Sequence, residues 1–217
     1  MIEIVSYRVE WPAEFEGVAS VLRAGLGTLA LRIDHIGSTA VPGLSAKNII
    51  DIQVTVNTLS SDVSRALLSL GFVACPDVTG DHVPPGGCEA EWPKFLFLQP
   101  SGTRRVNVHV RQTGKPNQRY ALLFRDYLIA HPLVAGAYAE LKRRLASSLA
   151  DDDAYPLVKD PAVDLIYFAA EQWAATTQWR PAMNTGFFNP IRPNLAVNAD
   201  ARRRGLALAA LAGYLTR

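Results

Sequence analysis

Two strictly alternating stretches limit the fold of this chain more than anything else in it. Ile50, Ile52, Val54 and Val56 share one side of a strand and leave Asp51, Gln53, Thr55 and Asn57 on the other. Val106, Val108 and Val110 repeat the pattern, with Arg105, Asn107, His109 and Arg111 opposite. A period of two with β-branched side chains predicts half-buried strands, two of them in one sheet. If the polar faces lie on the same side, Asp51 and Gln53 meet Asn107, His109 and two arginines, a suitable lining for an anionic ligand. Any antiparallel sheet with one solvated face alternates in this way too, so the pattern alone does not make a site.

The remaining elements follow from punctuation and periodicity. Ile2 and Ile4 alternate as in a short strand, and Trp11-Pro12 opens a helix with Phe15, Val18, Val21 and Leu22 at helical spacing. Residues 29–36 and 49–56 read as strands, and Ser60 or Ser61 caps a helix that stops at Gly71. Residues 75–93, rich in Pro and Gly, read as a surface loop long enough to act as a lid. Strands at 94–99 and 105–111 flank a Pro-Ser-Gly turn and predict a hairpin. Helices follow: one capped by Asn117 and ending near Ala130, and one from Pro132 with a stripe of Val134, Tyr138, Leu141, Leu145 and Leu149. A third is introduced by Asp160-Pro161 and runs to about Trp179. The expected fold is α+β, a mixed β-sheet backed by helices.

Residues 180–198 carry Pro and Asn without periodicity and read as a linker to a last helix at about 199–215. That segment is apolar over much of its circumference and needs a partner surface, either the preceding domain or a second copy in a homodimer formed through the C-terminal arm. The expected organisation is one domain over 2–179 and an arm over 180–217. With 217 residues, 49% apolar and 19% charged, the chain falls in the globular class. Its formal charge of +2 gives no field that would point to nucleic acid, and its longest apolar run is too short to span a membrane. Two cysteines and no basic apolar leader suggest a reducing, cytoplasmic setting.

The chemistry concentrates in His35-Ile36-Gly37-Ser38-Thr39, followed by Lys47 and by Asp51-Ile52-Gln53. A strand ending in Gly-Ser offers backbone N–H groups and a hydroxyl to a phosphate, and Lys47 adds a cation. Asp51 and Gln53 point to one face, where an acidic pair would hold Mg²⁺ against a nucleotide; the amide at position 53 weakens such a pair. A plain Gly-Ser turn with a solvent-facing aspartate accounts for the same residues. Cys75, His82 and Cys88 have spacings unlike a zinc site and read as loop residues. Arg125 reads as half of an exposed ion pair, and Lys142 and Lys159 as solvated.

The runs HIGSTAVPGL, AKNIIDIQV, VNVHVR, FRDYLIAHP and YAELK resemble the GrpB family over residues 2 to 175, in the expected order. The family sits in the polymerase-beta-like nucleotidyltransferase superfamily, so the resemblance implies a nucleotidyltransferase-like mixed-sheet fold. Gly37 and Ser38 match the superfamily's Gly-Ser and Asp51 its first carboxylate; Gln53 does not match the second, and Asn107 and His109 stand where a third would be sought. Some relatives are fused to dephospho-CoA kinase, but this chain has no P-loop. Asp51 is thus expected to be a catalytic and metal residue and His109 a proton acceptor. Gly37, Ser38, Lys47, Gln53, Arg105, Asn107 and Arg111 are expected to bind a nucleotide or other phosphorylated ligand, with Mg²⁺ as cofactor. An inactive binding module and an interaction protein remain the alternatives.

Overall fold

A computed structural model describes residues 2–99, 102–149, 151 and 154–182. Residues 1–184 form one compact unit, and residues 185–217, the greater part of the expected arm, lie outside the described residues. The elements are α1 (Trp11–Leu26), β1 (Ala30–Ile36), β2 (Ile50–Val56), α2 (Ser61–Ser69), β3 (Val73–Ala74), β4 (Lys94–Leu98), β5 (Val106–Gln112), α3 (Pro116–Ala130), α4 (Pro132–Ser148) and α5 (Ala154–Thr177), with single 3₁₀ turns at Gly27–Leu29, Ser38–Ala40 and Glu89–Glu91. Ile2 and Ile4 form no strand; Val5 makes an isolated bridge to Ala46.

The sheet order is β1-β2-β5-β4-β3. Only the central pair, β2 and β5, is parallel; β1, β4 and β3 run antiparallel to their neighbours. The expected β4-β5 hairpin is present, with Lys94 opposite Arg111. Parallel register sets Asp51 beside Asn107 and Gln53 beside His109, so the two polar faces do lie on one side.

The apolar face packs on α1 and α2. Trp11, Phe15, Ala19, Leu22 and Leu26, at spacings of three and four, form one stripe on α1 against Ile50, Ile52, Val54, Val106, Val108 and Val110. Val21, expected on that stripe, is half exposed. A second core joins α3, α4 and α5 through Leu123, Tyr127, Leu128, Tyr138, Ala139, Val163 and Ala170. Those helices cover the polar face, which is therefore not solvated: Gln53, Thr55 and Arg111 are all buried.

A buried polar network makes that cover stable. Asp81 accepts from Arg111 at 2.7 and 2.8 Å, from Lys94 at 2.8 Å and from Asn117 at 3.1 Å, while Arg111 also donates to Gln53 Oε1 at 2.7 Å. Asn117 is thus a buried donor, not a cap; Lys115 holds the N-cap position of α3. The segment 75–93 is no free lid, because Asp81 is anchored beneath it, Trp92 is buried and His82 bonds Asp164 of α5 at 2.8 Å. The third helix begins at Ala154, before Asp160-Pro161, and carries Pro161 in its interior. The carbonyl deprived of its N–H partner is that of Leu157, on the exposed side of the helix where water can serve it.

Candidate functional site

Strand β1 ends at Ile36, and Gly37 turns the chain with φ +70. A side chain there would be strained, and its Cβ would press on the Asp51 carboxylate. Glycine therefore lets Ser38 approach the start of β2. The turn is held from two sides: Arg125 of α3 donates to the His35 carbonyl at 2.8 Å, and the His35 ring stacks on Phe15 and meets the Thr39 hydroxyl at 3.0 Å. Arg125 does pair with Asp126 at 2.7 Å, but the pair is largely buried and not exposed.

Ser38, Lys47, Asp51 and Asn107 line a cavity of about 270 Å³ at this end of the sheet. Its other wall comes from residues that look ordinary in the sequence: Tyr138 and Lys142 of α4, and Tyr155 and Lys159 of α5. Lys142 is the largest departure. Its side chain is buried, and Nζ donates to Ser38 Oγ at 2.9 Å and to the Ser45 carbonyl at 2.5 Å. It also lies 4.7 Å from the centre of the Tyr138 ring. Burial, reinforced by Lys159 and Arg143 nearby, pushes Lys142 down to about 7. The buried stripe of α4 is Ala135, Tyr138, Ala139 and Lys142, a rotation of the expected one, and small alanines let the helix approach closely. Lys47 sits 4.3 Å over the Tyr155 ring, and Lys159 is 3.5 Å from Asp160.

Asp51 Oδ1 accepts from Asn107 Nδ2 at 2.8 Å and faces His109 Nε2 at 3.5 Å. Burial alone would raise this carboxyl, but hydrogen bonding and charge from His109, with the Asn107 amide, hold it below its ordinary range. His109 moves down as well, chiefly through burial, which outweighs the pull of Asp51. The ring is not on the cavity wall; its contact with the site is through Asp51, whose carboxylate it faces.

The structure therefore joins Gly37, Ser38, Lys47, Asp51 and Asn107 in one place and sets three expected ligand residues off the cavity wall. Gln53 is fully buried, with its oxygen held by Arg111 and its amide nitrogen donating to the Gln118 carbonyl at 3.0 Å. Arg111 is committed to Asp81. Arg105 precedes β5 with an exposed side chain off the cavity wall. The cause is common to Gln53 and Arg111: α3 closes over the upper part of the polar face and leaves open only the strand ends.

The model of the GrpB protein family matches residues 1–168. A dephospho-CoA kinase of Mycolicibacterium paratuberculosis is 36% identical over 197 residues, covering 83% of this chain and 48% of that protein. This chain thus spans about half the length of the kinase-named relatives it matches. A UPF0157 protein of Halalkalibacterium halodurans is 32% identical over 145 residues, covering 67% of this chain and 69% of that one. The crystal structure of the conserved protein GrpB from Enterococcus faecalis superposes with a TM-score of 0.62 at 28% identity, covering 79% of this chain and 99% of that chain.

Proposed function

The chain belongs to the GrpB family, and on that premise we propose that it binds the phosphate of a nucleotide or another phosphorylated small molecule in the cavity at the strand ends. The observation that carries this reading is the meeting of the Ser38 hydroxyl with the Lys142 ammonium at 2.9 Å on a wall that also holds Lys47 and Lys159. A hydroxyl and several cations facing one open volume form a setting for phosphate oxygens. Ser38 and Lys142 hold the phosphate, and Lys47 and Lys159 steer it. Asp51, kept ionised and fixed by Asn107, accepts a hydrogen bond from a hydroxyl of the ligand or of an acceptor. In a transferase that contact would orient the acceptor; in a binding module it would select the ligand.

The family resemblance also raises Mg²⁺. The residue set does not fit a paired-metal centre: among the described residues Asp51 is the one carboxylate on the cavity wall, and Gln53 is turned away from it. Among the described residues no group of three or more His, Cys, Asp or Glu side chains could hold a metal ion. Cys75 and Cys88 are unpaired, which suits the cytoplasmic setting included in this proposal. No helix among the described residues is long and apolar enough to cross a membrane. A homodimer through residues 180–217 remains a proposal about a segment of which only Arg180–Ala182 is described.

The test is a thermal-shift panel of nucleotides and coenzyme A precursors, with and without Mg²⁺, since a ligand of the native state raises its stability. At least one phosphorylated compound is expected to raise the melting temperature, and S38A to weaken that shift. A panel with no shift at saturating concentrations would refute the reading.

A further inference from the structure

We infer that the cation of this site is built into the chain: the Lys142 ammonium stands where a divalent metal would serve, and the site takes the terminal phosphate of its ligand without a metal. This rests on the phosphate reading above and adds how the charge is neutralised.

Among the described residues the other two buried cations, Arg111 and Lys94, share the carboxylate of Asp81, and the half-buried Arg32 and Arg125 have Asp34 at 2.5 Å and Asp126. Lys142, only 3% exposed, makes no ion pair among the described residues; its partners are two neutral oxygens and a ring face. A buried charge without a counter-ion is costly, and in a closed core such a position is ordinarily filled by an apolar side chain. This one opens on a cavity lined by two further lysines. An anion entering that cavity would meet an ammonium that no described carboxylate pairs.

The opposite wall points the same way. A metal would need oxygen ligands of high charge. Asp51 offers one carboxylate, with Oδ1 already facing Asn107 and His109, and Gln53 cannot turn toward the cavity without breaking its bonds to Arg111 and Gln118. Among the described residues of the cavity wall three lysines stand against one aspartate, and even with Lys159 beside Asp160 such a wall disfavours a dication and attracts a polyanion. Burial disfavours the Lys142 ammonium when the cavity holds no anion, and an anion bound beside it would raise its proton affinity again, which is why the test is made at pH 6.5. A volume of about 270 Å³ admits a phosphate or diphosphate, and the rest of the ligand would extend through the mouth.

Calorimetry with inorganic pyrophosphate at pH 6.5, once in EDTA and once in excess Mg²⁺, tests this. Binding in EDTA is expected to be at least as tight as in Mg²⁺, and K142M to weaken it by about thirtyfold or more. Binding that appears only with Mg²⁺, or K142M binding as tightly as the parent in EDTA, overturns the inference and leaves the phosphate reading standing. No binding in either buffer overturns both. Should K142M fail to fold, the parent is labelled with pyridoxal phosphate and borohydride and the adduct mapped by mass spectrometry. Protection of Lys142 by pyrophosphate in EDTA supports the inference, and protection only with Mg²⁺ refutes it.

Discussion

Replacing Lys142 by methionine is expected to stabilise the fold while it damages the site. A lysine that loses its proton near 7 in the folded chain instead of near 10.5 costs about 4–5 kcal/mol when it is charged. Methionine keeps the length of the side chain and its packing on Tyr138 but gives up the bonds to Ser38 and to the Ser45 carbonyl, a loss of about 2–3 kcal/mol. The net gain at pH 6.5 is therefore about 1–3 kcal/mol, or roughly 1 M in urea midpoint. Its sign follows from proton binding. The unfolded chain keeps this proton up to about 10.5 and the folded chain releases it near 7, so parental stability rises with pH between those values. K142M lacks that rise. Its advantage should shrink by about 3 kcal/mol between pH 6.5 and 9.5 and end as a disadvantage. Urea unfolding of both proteins at the two pH values, followed by tryptophan fluorescence, measures the difference. A K142M protein less stable at pH 6.5, or a gap that does not change with pH, would refute the mechanism.

Gly37→Ala should cost about 1–3 kcal/mol through its positive φ and the Asp51 contact, and should lose pyrophosphate binding in a protein that still folds; an unchanged melting curve would count against the close approach. Asp51→Asn is expected to leave the fold intact and, in EDTA, to tighten pyrophosphate binding a few-fold by removing a negative charge from the cavity; calorimetry reads the sign. Asp81→Ala strands Arg111 and Lys94 as buried cations and should destabilise by about 3–5 kcal/mol. Burial would raise the Asp81 carboxyl, but Arg111 and Lys94 hold it well below the usual range, so its contribution is present above about pH 4 and lost as pH falls toward that depressed value. Asp81→Asn should flatten that part of the acid-unfolding profile, and an unaltered profile would show that the carboxylate is not what acid attacks.

The strands and the Gly37 turn are legible in the sequence because their signals are local: a period of two, β-branched residues and a glycine before a serine. The adjacency of Asp51 and Asn107 follows once β2 and β5 are set side by side. Gln53 and Arg111 mislead, since alternation gives their orientation but not their cover. Asp81 reaches Arg111 from a loop thirty positions before it, Arg111 in turn holds Gln53, and no periodic pattern points to that pairing. Lys142 escapes because a charged residue counts as solvent-facing in a helical stripe. Its place four residues after Tyr138 and seven after Ala135 puts it on the buried face all the same. The start of α5 is hidden because Asp-Pro reads as a cap, and only the exposure of Leu157 makes a proline inside the helix tolerable.

That proline divides the helix by function. Tyr155 and Lys159, on the cavity wall, precede Pro161, whereas Val163, Ala170 and Ala174, in the core, follow it. With one rung of the ladder missing between the two parts, the wall can loosen without disturbing the core. In hydrogen exchange, the amides from 157 to 160 should open at lower free energy than those from 166 to 177. Ligand contact with Lys159 would then slow exchange in that first stretch alone, making the helix a local reporter of whether the cavity is filled.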